Sequence, residues 1–312
     1  MRQVLPKRDG EAPRPPSTFT VAGHVAAAPR LVGGLYLVAT PIGNLGDITI
    51  RALETLAGAD LIACEDTRVT RKLLDRFGIA TPLSPYHDHN AATARPKLIG
   101  RLAAGAAIAL VSDAGTPLIS DPGFKLVREA SSAGIAVTAM PGASAVLAAL
   151  CVAGLPTDRF FFEGFLPTKT TARRTRISEL ARIDATLVLF ESGSRVAEML
   201  ADLRNGLGPR EAAICRELTK LHEQTVRGDL ADLAARAGEL ETRGEFVVVI
   251  GPPASQAAMS DTDLDHALTT ALAGASVKDA VAEVAAASGR ARREVYARAL
   301  ALAKDEGDGR RR

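Results

Sequence analysis

The chain has 312 residues, 47% of them apolar and 24% charged, with a formal net charge of +2. That length holds two domains of ordinary size plus an appendage, and that balance describes a globular chain able to bury a large core. A whole-molecule field that binds nucleic acid indiscriminately is excluded, so any basic surface has to be local. With no Trp, 3 Tyr and 9 Phe, the chain offers little for a base-stacking platform. Cys64, Cys151 and Cys215 are far apart and odd in number, which fits neither a disulfide framework nor a zinc knuckle and suits a reducing cytoplasm. No apolar run is long enough for a membrane span, and the polar, Pro-containing N-terminus does not read as a signal peptide.

Residues 1–30 read as a disordered tail, because Pro6, Pro13, Pro15, Pro16 and Pro29 punctuate them and no apolar period survives. From Gly34 the texture changes. Residues 35–40 form a short apolar run ending in a Pro/Gly/Asn turn, as a buried strand of a parallel sheet reads. Further runs at 61–64, 107–111 and 136–140 alternate with helical patterns near 50–57, 67–77, 92–104, 124–133 and 144–152. Strand alternating with helix over short connections gives a mostly parallel α/β domain over 31–153.

Gly154-Leu155-Pro156-Thr157-Asp158 is the expected hinge to a second α/β domain, 154–255. Its strands fall at 160–165, 186–190, 212–215 and 246–250, with helices near 171–183, 195–203 and 229–237. Residues 260–305 are Ala-rich and without strand signals. They fit three helices, at 262–272, 277–287 and 291–303, where Ser276 with Asp279 marks a start and Ser288-Gly289 a break. This is a helix-turn-helix-like module, and residues 306–312 are a tail. Arg290, Arg292, Arg293 and Arg298 suit either a nucleic-acid face or a solvated helical cap. The expected fold is α/β: two tandem α/β domains with mostly parallel or mixed sheets, a ligand cleft between them, and a small C-terminal three-helix module.

No Gly-x-Gly-x-x-Gly follows the first strand, and no P-loop, His-Glu-x-x-His or Gly-x-Ser-x-Gly occurs. That weighs against nicotinamide dehydrogenases, NTPases, zinc proteases and α/β-hydrolases. The chemistry gathers instead in loops at the carboxyl ends of the strands, where open α/β sheets bind ligands. Gly brings backbone close to a ligand, Pro fixes the loop, and Thr, Asn and Asp add polar contacts without bulk.

The combination Val38-Ala39-Thr40-Pro41-Ile42-Gly43-Asn44, Glu65-Asp66-Thr67-Arg68, Ser112-Asp113-Ala114-Gly115-Thr116-Pro117 and Pro141-Gly142-Ala143-Ser144 resembles the tetrapyrrole-methylase superfamily. Within it the chain resembles the RsmI branch, whose members methylate the ribose 2′-oxygen of a cytidine in 16S ribosomal RNA. The resemblance runs from about Gly34 to Pro253 and includes Gly164-Phe165-Leu166-Pro167, Phe190-Glu191-Ser192 and Arg216-Glu217-Leu218-Thr219-Lys220. Tetrapyrrole-modifying relatives carry a Gly-Gly-Asp-Pro-type loop where this chain has Asp113-Ala114-Gly115-Thr116-Pro117, which favours RNA as the methyl acceptor. A methyltransferase of the same fold acting on a tetrapyrrole or other small substrate, or a noncatalytic RNA- or cofactor-binding protein, is the alternative.

The resemblance implies S-adenosylmethionine as cofactor, held between the domains by Pro41, Ile42, Gly43, Asp113, Gly115, Thr116, Ile119, Gly142, Ala143 and Phe190, and no metal. It implies 16S rRNA or the small ribosomal subunit as partner, a homodimer, and a cytoplasmic setting without a membrane. Methyl transfer to a hydroxyl needs in-line alignment and removal of a proton. The carboxylates that would face the cleft are Glu65, Asp66, Asp113 and Glu217. Glu65 and Asp66 followed by Arg68 form the most suggestive catalytic set, because an arginine can hold a carboxylate or grip a phosphate. The same residues fit a capped helix start with Arg68 on the surface.

Candidates for RNA contact are His87 and Asn90, in a loop similar to the substrate-side loop of the branch, and Lys220. The basic run Lys169, Arg173, Arg174 and Arg176 adds to them, with Lys169, Arg173 and Arg176 on one helical face. That run also fits a solvated helix surface.

Overall fold

The computed structural model describes residues 17–239, 241–253 and 259–309. It overturns the second half of the expected N-terminal tail, whose residues 1–16 lie outside the described ones. Strands β1 (Thr18–Val21) and β2 (His24–Ala27) form an antiparallel hairpin. Phe19, only 2% exposed, packs in a cluster with Ala52, Leu53, Leu56 and Leu73. The Thr20 N–H donates to the Phe77 carbonyl at 2.7 Å. One buried aromatic anchors a segment whose composition alone is that of a tail.

The first lobe then alternates β3 (Gly34–Val38), α1 (Ile50–Gly58), β4 (Leu61–Cys64), α2 (Thr67–Arg76), β5 (Leu83–Pro85), α3 (Ala91–Ala103), β6 (Ala107–Val111), α4 (Phe124–Ser132), β7 (Val137–Met140) and α5 (Ala145–Ala153). Its strands are all parallel, in the order β5-β4-β6-β3-β7. β4 and β6 are buried along their whole length, which is why they are unbroken apolar runs rather than alternations. The hairpin, α1 and α2 cover one face of the sheet, and α3 and α4 the other. The three-residue β5 lies outside the expected strands: it sits at the sheet edge, ends in proline and carries no period.

α5 is apolar throughout. Its Val146, Ala149, Leu150 and Ala153 pack against Val188, Ala213, Val247 and Val249, so the last helix of the first lobe becomes a layer of the second. That second lobe comprises β8 (Phe160–Phe165), α6 (Thr170–Leu180), β9 (Thr186–Ser192), α7 (Gly193–Leu207), β10 (Glu211–Arg216), β11 (Gln224–Asp229), α8 (Leu230–Ala235) and β12 (Glu245–Ile250). Its order is β11-β10-β12-β9-β8, with β8 and β9 parallel and the other pairs antiparallel. The mostly parallel arrangement therefore holds for the first lobe, and the second sheet is mixed. β11 is a further unexpected strand, because Gln-Thr-Val-Arg-Gly-Asp has one strong apolar residue and pairs as an edge through its backbone.

Helices α9 (Asp261–Leu272), α10 (Val277–Ser288) and α11 (Arg292–Gly309) close around Leu264, Leu268, Val281, Val284, Val295 and Ala299. The Ser260 and Ser276 side chains cap α9 and α10 by accepting from the Asp263 and Asp279 N–H groups. Gly289 ends α10 in the left-handed region. α11 continues past the expected boundary at 305, and the expected junction near 255–260 falls largely on 254–258, outside the described residues. Among the described residues no helix is long and apolar enough to cross a membrane.

Candidate active site

A cavity of about 330 Å³ opens between the lobes, the size of a small-molecule site. Its first-lobe wall is built by backbone. Thr40 and Gly115 exchange N–H···O bonds of 2.9 and 3.0 Å, tying the loop after β3 to the loop after β6. The Thr116 hydroxyl donates to the Ala143 carbonyl at 3.2 Å and draws the loop after β7 into the same wall. Gly115 holds φ 77°, and a Cβ there would stand 3.2 Å from Ile42 Cγ2, so glycine keeps the wall thin. Where the lobes meet, Ser120 (φ 63°) places its Oγ 2.8 Å from the position of a Cβ on Gly164, the point at which β8 slips register.

Of the residues expected to hold a cofactor, Ile42, Gly115, Thr116, Ile119 and Phe190 line this cavity. Pro41, Gly43, Gly142 and Ala143 are not among its lining residues. Asp113 turns away from it, its Oδ1 accepting the Asp66 N–H at 3.0 Å. The lining also takes in Asp121, Phe165, Glu245 and Val247, none of them among the expected site residues. Strand register explains the last two: β12 pairs Glu245 with Ser192 and Val247 with Phe190, and only the folded sheet sets that juxtaposition.

The second-lobe wall is charged. Lys220 Nζ lies 2.8 Å from Glu217 Oε1 and 2.9 Å from Glu245 Oε2, and Glu217 Oε1 also accepts the Glu245 N–H at 3.0 Å. Burial pushes against both charges, but their mutual hydrogen bonding prevails. Glu217 is held below the ordinary carboxylate value and Lys220 above the ordinary lysine value. Lys220, expected to contact RNA, lies in the wall of the cavity and is ion-paired there to Glu217 and Glu245. Glu191, 2% exposed, is balanced by Arg195 at 3.1 Å. Asp121, Glu217 and Glu245 against Lys220 leave the lining with an excess of negative charge.

Glu65 and Asp66 diverge. Asp66 caps α2, its Oδ1 accepting the Arg68 N–H at 2.8 Å, while the Arg68 side chain grips both carboxylate oxygens at 2.6–3.1 Å. Those bonds hold Asp66 down at about 2. A carboxylate so acidic and already surrounded by donors is a poor acceptor for a hydroxyl proton. The capped helix start describes Asp66 and Arg68. Glu65 is partly buried, and burial first, then the charges of Asp113, Asp121 and Asp88, raise its pKa.

The basic run loses its expected face. Arg173 is 1% exposed, with Nε donating to Asp202 at 2.7 Å and Nη2 to Glu198 at 2.5 Å. Arg174 takes the other Asp202 oxygen at 2.8 Å. Arg176 forks onto both Glu163 oxygens at 2.7 Å and also holds Glu179. Acids from β8 and α7, remote in sequence, neutralise what looked like a phosphate-binding strip. Of that run, only Lys169 has no ion pair among the described residues. Asn90 is likewise engaged inside its own turn, accepting the His87 N–H at 2.9 Å and donating to the Pro85 carbonyl at 3.0 Å. His87 stacks edge-on with His89, their ring centroids 6.0 Å apart.

The family described as Tetrapyrrole (Corrin/Porphyrin) Methylases matches residues 34–234, and the RsmI C-terminal HTH domain matches 258–303. A ribosomal RNA small subunit methyltransferase I from Mesorhizobium japonicum is 51% identical over 277 residues, covering 88% of this chain and 94% of that protein. Its counterpart from Synechocystis is 47% identical over 278 residues, covering 88% and 100%. The chain belongs to the RsmI branch of the tetrapyrrole methylases. The fold of this tetrapyrrole methylase is shared by a solved diphthine synthase, with a TM-score of 0.55 over 70% of this chain and 89% of that one at 18% identity. A cobalt precorrin-4 methyltransferase overlays at 0.53, covering 70% and 94% at 18% identity. In this RsmI-branch chain the superfamily match spans the elements that wall the cavity as far as α8, and the RsmI-specific match falls on the terminal helices.

Proposed function

We propose that this RsmI-branch protein uses S-adenosylmethionine to methylate the ribose 2′-oxygen of a cytidine in 16S ribosomal RNA, acting on the small ribosomal subunit as a cytoplasmic homodimer. The observation that carries this reading is its likeness, at 51% identity over 88% of the chain, to a ribosomal RNA small subunit methyltransferase I. The chemistry of the cavity supports it. A sulfonium amino acid linked to adenosine carries net positive charge and a flat ring, and the lining offers an excess of carboxylates together with apolar Ile42, Ile119, Phe190 and Val247. The first turn of α5, at Ala145 and Val146, adds helix N-terminal N–H groups suited to a carboxylate. When bound, the cofactor supplies an electrophilic methyl group whose leaving thioether is neutral.

The chain's own residues then have three tasks. Ile42, Thr116, Phe190 and the Glu217–Lys220–Glu245 cluster hold and orient the donor between lobes that α5 locks together. Ile119 and Phe165, both exposed at the cavity, offer apolar surface for a bound donor to cover. Glu65, directly after β4 and outside the lining itself, partly buried among Asp113, Asp121 and Asp88, takes the 2′-hydroxyl proton, a contribution of roughly 10²–10⁴-fold. Asp113 braces the loop that presents it, through the Asp66 N–H.

The test is tritiated methyl transfer from S-adenosylmethionine to undermethylated 30S subunits, with mass mapping of the product and calorimetry with S-adenosylhomocysteine. Label on one cytidine ribose of 16S rRNA is expected. Label on a base, or turnover of a porphyrin or corrin without transfer to RNA, overturns the assignment.

A further inference from the structure

Helix α2 leaves the candidate active edge directly after Glu65 and Asp66. It places Arg68, Arg71, Lys72 and Arg76 at i, i+3, i+4 and i+8, on one face, while Thr70, Leu73 and Leu74 bury the other. All four cations are exposed. Arg68 is clasped by Asp66. Among the described residues, Arg71, Lys72 and Arg76 have no acidic partner within ion-pair distance, and Asp75 on the same helix pairs with none of them.

The contrast with α6 is decisive. There, Arg173, Arg174 and Arg176 find Asp202, Glu198, Glu163 and Glu179. Among the described residues, no acid pairs with Arg71, Lys72 or Arg76 in this way. Like charges at i, i+4, as in Arg68 with Lys72 and Lys72 with Arg76, disfavour an isolated helix, so helix stability does not account for the stripe. The stripe starts at the edge carrying the proton acceptor and runs about 12 Å away from it. A row of free cations leading from a ribose-methylating site complements one polymer above others, a strand of repeating phosphates.

We propose that α2 is the phosphate track of the RNA substrate: Arg71, Lys72 and Arg76 bind backbone phosphates beside the target nucleotide, and the α6 run does not. This rests on the RNA-methyltransferase reading above and names the surface by which that substrate docks. The contacts position the strand without reading its bases, so specificity lies elsewhere.

The experiment compares the wild type, the α2 variant Arg71→Gln/Lys72→Gln/Arg76→Gln, and the charge-matched variant Lys125→Gln/Arg128→Gln/Arg204→Gln. Binding to undermethylated 30S subunits is titrated between about 50 and 200 mM salt, with S-adenosylhomocysteine calorimetry as the measure of an intact fold. The α2 variant is expected to bind 30S at least tenfold more weakly at the lowest salt, with normal calorimetry. Its log affinity against log salt should lose about 2 in slope, near 0.7 for each of the lost contacts. The charge-matched variant should follow the wild type.

Unaltered affinity and slope in the α2 variant overturn the proposal while leaving the functional reading intact if the wild type still transfers label. Equal losses in both variants reduce the effect to net charge and overturn it as well. If only binding to phosphatidylserine/phosphatidylcholine vesicles falls, the stripe is a membrane contact and the proposal fails. A wild type that neither binds nor methylates 30S sinks the functional reading, and this one with it.

Discussion

Lys220 lies across Gly43. A Cβ on Gly43 would stand 2.4, 2.5 and 2.8 Å from Lys220 Cγ, Cε and Cδ, and Gly43 itself holds φ 146°. Space and backbone both demand glycine here. A side chain of the second lobe thereby roofs a loop of the first before ending between Glu217 and Glu245. Gly43→Ala is expected to displace the lysine stem and weaken S-adenosylhomocysteine binding about tenfold, equivalent to roughly 1.4 kcal/mol. Lys220→Ala should do the same, and the double variant should lose little more than either alone. Calorimetry of the four proteins decides; strictly additive losses would uncouple the two residues.

Glu65→Gln should reduce methyl transfer by roughly 10²–10⁴-fold with S-adenosylhomocysteine affinity unchanged. Its raised pKa adds a stability signature. A carboxyl whose pKa rises on folding favours the folded state while protonated and loses that contribution as pH climbs through the folded value. Glu65→Gln should therefore melt higher than the wild type at neutral pH, the gap closing as pH falls to the ordinary glutamate range near 4.3. Melting curves from about pH 4 to 8 read this directly, and a gap that widens on acidification would reverse the sign and refute the assignment.

Arg173 is structural. Removing one partner of a buried pair leaves an uncompensated charge, so Arg173→Ala should lose about 3–5 kcal/mol of unfolding free energy. The affinity of the folded fraction for 30S should stay at the wild-type value. Urea denaturation alongside the binding titration separates the two effects, and a stable Arg173→Ala that binds RNA poorly would restore the phosphate-contact reading.

The N-terminal hairpin hangs on Phe19, which is 2% exposed. Phe19→Ala is expected to cost about 3 kcal/mol, as large-to-small core changes do, and to expose the amides of residues 18–27 to hydrogen exchange. Protection matching the wild type would show that the backbone bonds of the hairpin suffice without the ring.

Much of the architecture is legible in the chain because burial on both faces writes itself as unbroken apolar runs. β4 and β6 carry no polar residue to mislead, and the Ser276-x-x-Asp279 cap of α10 announces its own start. Two of the edge strands lack that record. β5 and β11 bury little and pair through backbone, so their side chains hold no period, and the hairpin fully buries only Phe19, with Val21 and Ala26 partly buried beside it.

The sequence by itself determined the doubly layered α/β plan, the loops that gather at the strand ends and the family, since these follow from local hydrophobic periodicity and contiguous motifs. Tertiary structure alone decided which charges are free. Arg173 and Arg71 are indistinguishable as letters, yet one meets Asp202 from a neighbouring helix and the other meets solvent. A charge's energy depends on what lies within a few ångströms of it in space, and distance along the chain does not encode that.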